Sequence, residues 1–328
     1  MELKSIDMIK CLKAPVLANV KKGEHALILA DFDTPPMVWE ALAAAIYDAG
    51  GEPIVTLFPT REYPMQNPPE AVGEAMKAAD LCFLTVSKGM IHCQAAHEAM
   101  KAETRFVNLE EATPELICMT RETLEDIQAM QDLGTRVTAR WTEGKGCRIT
   151  TALGTDLTAS IEGRTGYFVA GVSRKQPALS LISCAFPDGE AGVAPLEGSG
   201  QGVLVCDLAM LAVDIGRLHG PIRIHFKGGR IADISGGPEA DAFRVFLDKY
   251  GDEGAYQLCE ISIGLNPKIK PTGNKADKKI YGTMHMGFGA NKDIGGIIES
   301  RLHMDGVITR PTLTIDEKII VKEGEIVI

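Results

Sequence analysis

The sequence predicts an α/β protein in two parts, an N-terminal doubly wound parallel α/β domain over residues 1–140 and a β-rich α+β domain over residues 141–328. Three observations predict it. Apolar runs of strand length alternate with helical segments from His25 to Leu109, which is the pattern of βαβ units. Beyond Arg140 the texture changes to short strands broken by Gly and Asp. The chain has 328 residues, 45% apolar and 24% charged, enough for two domains and a well-buried core.

Taken in order, residues 1–14 place Leu3, Ile6, Ile9 and Leu12 at helical spacing. HALILAD (His25 to Asp31) is an apolar run of buried-strand type. The turn DTPP follows, in which Thr34, Pro35 and Pro36 suit an N-cap and first helical turn. An Ala-rich helix then runs to Gly50, and PIVTLF (Pro53 to Phe58) is the next strand. A helix near Pro69 to Ala79, a strand Leu81 to Val86, a helix near Ile91 to Lys101 and a strand Arg105 to Leu109 continue a Rossmann-like alternation. A helix Glu122 to Leu133 is expected to stop at Gly134. In the second part, Gly228-Gly229 and Glu323-Gly324 have the character of hairpin turns, and one helix, Pro238 to Tyr250, interrupts the strands.

Several function classes are disfavoured. A net charge of −10 with no basic tract argues against nucleic acid and against an anionic membrane as partners. No GxGxxG follows any strand, so a dinucleotide is not expected, and Ser87-Lys88-Gly89 is too short for a phosphate loop. The eight cysteines form no CxxC pair, which suits reduced, buried thiols. With no run of about 18 apolar residues and no apolar leader in MELKSIDMIKCLKAP, a cytoplasmic protein is expected. Strand edges in the β-rich half predict a homo-oligomer. The remaining partner is a small molecule or short peptide.

The candidate chemistry lies between Leu258 and Gly306. In CEISIGL, Glu260 and Ser262 share the strand face opposite Ile261 and Ile263. In GTMHMGFG, His285 alternates with Met284 and Met286, and His303 and Asp305 flank Met304. Two imidazoles and two carboxylates set against apolar strand faces point to a metal site. A further acidic candidate, Glu190, stands in the Pro/Gly-rich stretch Phe186 to Gly202, read as a loop that leaves it unburied. Asp31 and Asp33 are read as a turn and helix-start device.

The series PDGE, AP.EGS.G, Glu260 ahead of IGLNP, GTMHMGFG and HMD resembles the ligand order of the thermophilic-type aminopeptidases, the aminopeptidase T/S family of metallopeptidases. That resemblance implies Glu190, Glu260, His285, His303 and Asp305 as metal ligands. The chain is also similar to the 2,5-dihydroxypyridine 5,6-dioxygenases, iron(II) enzymes of related fold, in GTDLT (Gly154 to Thr158), IGLNP and HxD. The likeness extends to Ile91-His92, where that family has a catalytic histidine, and its pattern has His at the position of Glu260.

Five ligands suit two metals about 3.5–4 Å apart with a shared carboxylate, Glu190 and Glu260 being the candidates for sharing. Zn(II), Mn(II), Co(II) or Fe(II), two per chain, would fit the donor set. The leading expectation is therefore a metal-dependent amide hydrolase, aminopeptidase-like, activating water, with Glu260 and His92 in catalytic roles. The alternative is a non-heme Fe(II) ring-cleaving dioxygenase of dihydroxypyridine type. A third expectation is a catalytically altered binding protein of the same fold, because GFGANKDIGG offers no Tyr where the peptidases carry a catalytic one.

Overall fold

The computed structural model describes residues 5–63, 65–211 and 215–328, so Leu3 of the first expected helix lies outside the described residues. In the first part of the chain, β1 (His25–Asp31), β2 (Glu52–Phe58), β3 (Leu81–Leu84) and β4 (Arg105–Asn108) alternate with helices. These helices are α1 (Ser5–Asn19), α2 (Pro36–Asp48), α3 (Glu70–Ala78), α4 (Gln94–Lys101), α5 (Pro114–Thr120) and α6 (Leu124–Glu143). The strands that follow are shorter: β5 (Gly146–Thr150), β6 (Asp156–Ser160), β7 (Tyr167–Val169), β8 (Ser183–Ala185), β9 (Glu190–Val193), β10 (Gln201–Cys206) and β11 (Ala209–Leu211). After β12 (Gly216–Arg217), β13 (Ile222–Lys227) and β14 (Arg230–Gly236) comes α7 (Pro238–Tyr250), the helix expected at those residues. The chain ends with β15 (Leu258–Gly264), β16 (Met284–Gly289), β17 (His303–Ile308), β18 (Thr312–Ile315), β19 (Lys318–Lys322) and β20 (Glu325–Ile326).

Two compact units result. The first comprises Met1–Gln131, Val169–Gln176 and Leu181–Asp188, and the second Asp132–Phe168, Pro177–Ser180 and Gly189–Ile328. The sequence reading ended the first part at residue 140, yet β8 lies far beyond it and pairs parallel with β4, completing the order β2-β1-β3-β4-β8. Three residues of strand, separated from β4 by two helices and three other strands, leave no local signal of that pairing.

The α/β fold class follows from packing on both faces of this sheet. Ala26 and Ile28 of β1 join one core cluster with residues of α1, α2 and α5, while Leu27 and Leu29 join another with residues of α3 and α4. Side-chain alternation along the strand is what sends neighbours into opposite cores. At the carboxyl end of β1, the buried carboxylate of Asp31 accepts from Asp33 N, Thr34 N and Ser87 N. Two of these donors belong to the turn that opens α2, as expected, and Ser87 ties that turn to the segment after β3.

Gly134 does not end its helix. Residues 124–143 form one continuous α6, and a Cβ at Gly134 would sit 2.6 Å from the Phe168 ring, so the glycine is there for close packing. Among the described residues no helix is long and apolar enough to cross a membrane.

The second unit carries an eight-stranded sheet, β14-β13-β10-β6-β5-β18-β19-β20, and a seven-stranded sheet, β12-β11-β17-β16-β15-β9-β7. Gly228 and Gly229 take φ of 61° and 71°, turning β13 into β14 as a two-residue hairpin in which both residues need positive φ. Phe226 of the larger sheet stacks on Phe288 of the smaller at 6.0 Å, and Phe243 of α7 packs on the same ring at 5.9 Å. The centre of the smaller sheet is thereby fixed from behind.

Asp252, ahead of β15, also binds the segment that leads into β17. Its carboxylate accepts from Gly254 N at 3.0 Å, Ser300 Oγ at 2.9 Å and Arg301 N at 2.7 Å. Burial pushes its pKa up, but these donors outweigh that and hold it below the usual aspartate value. A depressed carboxylate contributes stability above the unfolded pKa and loses it as pH falls through the folded one. Asp252→Asn is accordingly expected to cost about 1–2 kcal/mol at pH 7, in a gap that closes below about pH 4. Denaturant midpoints of both proteins at pH 7 and pH 3 measure it.

Candidate metal centre

The site is built on four adjacent strands, β9, β15, β16 and β17, all antiparallel to their neighbours. Register brings the polar residues together. Glu260 lies opposite Gly287, and Gly287 in turn opposite Asp305, so two carboxylates flank a residue without a side chain. Ser262 stands between His285 and Gly192 in the same way, and Glu190 faces Gly264.

A bulge between Leu258 and Glu260 breaks simple alternation at the start of β15. In consequence consecutive side chains reach one imidazole: Cys259 Sγ lies 3.7 Å from His303 Nδ1, and Glu260 Oε2 lies 3.0 Å from His303 Nε2. Glu190, expected in an unburied loop, is instead buried as the first residue of β9. Its strand pairing with β15 explains the difference.

On these four strands the ligand atoms form two groups, each within 4.8 Å: Glu190 with Glu260 and His285, and Glu260 with His303 and Asp305. Glu260 belongs to both. The first group is buried throughout, whereas His303 in the second is exposed. All five strand residues predicted as ligands are thus gathered in the second unit. His92 is not among them; it is an exposed residue of the first unit, in the turn between β3 and α4.

The hydrogen bonding of the imidazoles tests whether a cation fits. His303 Nδ1 lies 2.7 Å from Ala290 O, and His285 Nδ1 lies 3.2 Å from Lys278 O. A carbonyl only accepts, so each Nδ1 carries a proton. Each Nε2 then faces a Glu260 oxygen at 3.0 Å, either as the second N–H of an imidazolium or as a lone pair. A lone pair toward a carboxylate is favourable only with a cation between them. Pinning Nδ1 to a backbone carbonyl while turning Nε2 toward the other acidic ligands is the orientation of metal-binding histidines. Two buried carboxylate oxygens, Glu190 Oε2 and Asp305 Oδ1, accept no hydrogen bond, which again suits a cation. Mixed nitrogen and oxygen donors of this kind fit a divalent ion of the Mn(II) to Zn(II) series.

The remaining partners were not legible in the sequence. Tyr167, 93 positions from Glu260, donates its hydroxyl to Oε1, and Ser262 Oγ donates to the same oxygen at 2.7 Å. Lys278 Nζ lies 3.2 Å from Asp305 Oδ2 and 3.6 Å from Glu190 Oε2. Burial would push Glu260 up, but the two histidines and the Lys278 charge hold it well below the carboxylate range. Asp305 is likewise lowered, against its burial, by Lys278 and His303. Burial would lower Lys278, yet Asp305, Glu190 and Glu260 keep it well above the ordinary lysine value. Burial, then the charges of Glu260 and Glu190, pushes Tyr167 well up, so it serves as a neutral donor. Glu260 and Asp305 are therefore charged, and the tyrosine and lysine protonated.

Residues 7–328 match the family described as 2,5-dihydroxypyridine 5,6-dioxygenase. The chain belongs to this family. A curated member of the dioxygenase family from Pseudomonas putida (strain KT2440) is 22% identical over 276 residues, covering 78% of this chain and 73% of that protein. The solved 2,5-dihydroxypyridine dioxygenase from Pseudomonas putida KT2440 superposes with a TM-score of 0.83 at 19% identity, covering 99% of this chain and 98% of that one. AmpT from Thermus thermophilus superposes with a TM-score of 0.72 at 16% identity, covering 99% of each chain. At these identities the likeness of the structures is one of fold. The dioxygenase resemblance read from the residues is therefore a family relationship, and the aminopeptidase resemblance is carried by fold alone.

Proposed function

We propose that this chain is a metal-dependent enzyme that consumes dioxygen and opens the ring of a small hydroxylated N-heterocycle. The observation that carries the reading is the second ligand group. Glu260, His303 and Asp305 present one imidazole and two carboxylates, and its imidazole is the exposed member. Family membership supports this chemistry over the hydrolysis that the ligand order by itself favours.

A ferrous ion on these three residues would supply the redox chemistry that lets ground-state dioxygen react. The protein's own groups have definite tasks. Tyr167 and Ser262 fix Glu260 through Oε1, leaving Oε2 toward His303. The Ala290 carbonyl fixes the tautomer of His303. Lys278 holds Asp305 from the side away from His303 through its other oxygen. The reacting ring would approach from the exposed His303 side.

A second reading keeps hydrolysis in view because Glu260 is shared by both ligand groups, the position a bridging carboxylate holds in a two-metal site. One experiment separates the two. Protein loaded anaerobically with Fe(II) is given 2,5-dihydroxypyridine and related heterocycles in an oxygen electrode, with ring absorbance followed in parallel. Oxygen uptake matched to loss of ring absorbance is expected, falling by at least about 10³-fold in His303→Ala. Absence of oxygen uptake across the panel, together with amide cleavage after Zn(II) or Mn(II) loading, would replace this reading with the hydrolytic one.

A further inference from the structure

We propose that the ammonium group of Lys278 occupies the place of a second cation, so that the carboxylate cluster takes a single metal ion and Glu190 is committed to lysine. The proposal rests on the reading of Glu260, His303 and Asp305 as metal ligands and adds the count of ions and the residue that sets it.

Charge is the first argument. Glu190, Glu260 and Asp305 are three carboxylates in one buried cluster, and one divalent ion with one ammonium already matches their three negative charges. A second divalent ion would leave the cluster positive and would sit against an ammonium that already faces Glu190 Oε2 at 3.6 Å and Asp305 Oδ2 at 3.2 Å.

Placement is the second. Lys278 is not a loose surface lysine, since its side chain is 17% exposed. It lies in a short 3-10 turn, Lys275–Lys279, whose start is capped by Asn274 Oδ1 accepting from Ala276 N. The neighbouring Asp277 is fully buried and accepts from Thr272 N at 2.8 Å and Gly273 N at 2.8 Å. The backbone of Lys278 is anchored too, because its carbonyl accepts from His285 Nδ1. One residue therefore orients His285 through its carbonyl and neutralises Glu190 through its ammonium. It commits Glu190 and His285 to the scaffold and leaves Glu260 to the ligand set with His303 and Asp305, which agrees with the first group being buried while His303 is exposed.

The test counts ions. Full-length protein is stripped with a chelator and titrated with Co(II) under nitrogen. Bound metal per chain is measured by elemental analysis after gel filtration, and the Co(II) absorption bands are followed alongside. Wild type is expected to saturate at one ion, Lys278→Met at two, and Lys278→Met with Glu190→Gln at one again. Two ions on wild type, or one ion on a folded Lys278→Met, would overturn the proposal. Should Lys278→Met fail to fold, Glu190→Gln decides. One ion held within about threefold of wild-type affinity supports the proposal, and weakening beyond about tenfold, the size of effect expected on disturbing a ligand shell, overturns it. Wild type that binds no ion at all sinks the metal reading itself, whereas wild type binding two leaves that reading standing and removes only the role of Lys278.

Discussion

Glu260→Gln is expected to abolish metal binding and activity together, with metal affinity reduced by at least about 10²–10³-fold. Both oxygens of Glu260 are engaged. Oε1 accepts from Tyr167 and Ser262 and lies 3.0 Å from His285 Nε2, while Oε2 lies 3.0 Å from His303 Nε2. An amide has one acceptor and one donor end. If its nitrogen takes the Oε1 place, it meets the tyrosine and serine donors head on. If it takes the Oε2 place, it turns an N–H₂ toward the position where the metal would be held. Either orientation also removes one negative charge from the ligand set. The fold has less to lose, about 1–3 kcal/mol from the disturbed buried hydrogen bonds. Elemental analysis after Fe(II) or Co(II) loading, with circular dichroism as the control for folding, measures the effect. Retention of metal at wild-type affinity would make Glu260 a purely structural carboxylate and remove the candidate centre.

The contrast between what the residues announced and what they concealed has a physical origin. Strand alternation made Glu260, His285, His303 and Asp305 legible as polar residues set against apolar faces. That alternation survives in β15 and β17, where Ile261, Ile263 and Met304 are buried core residues. The βαβ pattern from His25 to Leu109 was legible for a different reason, since its strands of four to seven residues, two of them continuous buried runs, alternate with helices of eight residues or more. What failed were pairings between distant segments. The fifth strand of the parallel sheet is three residues long, so β8 carried no signal. Glu190 was placed in a loop because only its pairing with β15, some 70 positions later, makes it a strand residue. Tyr167 and Lys278 were hidden for the same reason: a tyrosine near a turn and a lysine within GNKADKK are ordinary until three dimensions bring them to Glu260 and Asp305. The bulge at Cys259 was invisible because it exists only relative to β16.

Gly287→Ala tests the site from the side of the scaffold, and a single methyl group is expected to cost the centre its metal. Gly287 lies in the central strand between Glu260 and Asp305, and an added Cβ would meet Glu260 Cβ at 2.7 Å, Cys259 Sγ at 3.0 Å and Glu260 Oε2 at 3.3 Å. The strand backbone suits alanine, because Gly287 is not among the residues with positive φ, so the whole cost is steric. Relief is not available behind the strand, where Phe288 is fully buried against Phe226 and Phe243. Glu260 must therefore move, and its carboxylate cannot move without leaving Tyr167, Ser262 or the two imidazoles. A stability loss of about 1–3 kcal/mol is expected from overpacking, together with a loss of metal affinity of about 10²-fold. Gly146→Ala provides the comparison, since a Cβ there would meet only Ala159 O, at 4.0 Å. Thermal melts and Co(II) titrations of both variants separate a general glycine effect from a local one. If Gly287→Ala keeps wild-type metal affinity, the carboxylates do not converge across this strand as the register requires, and the ligand set built on Glu260 and Asp305 is wrong.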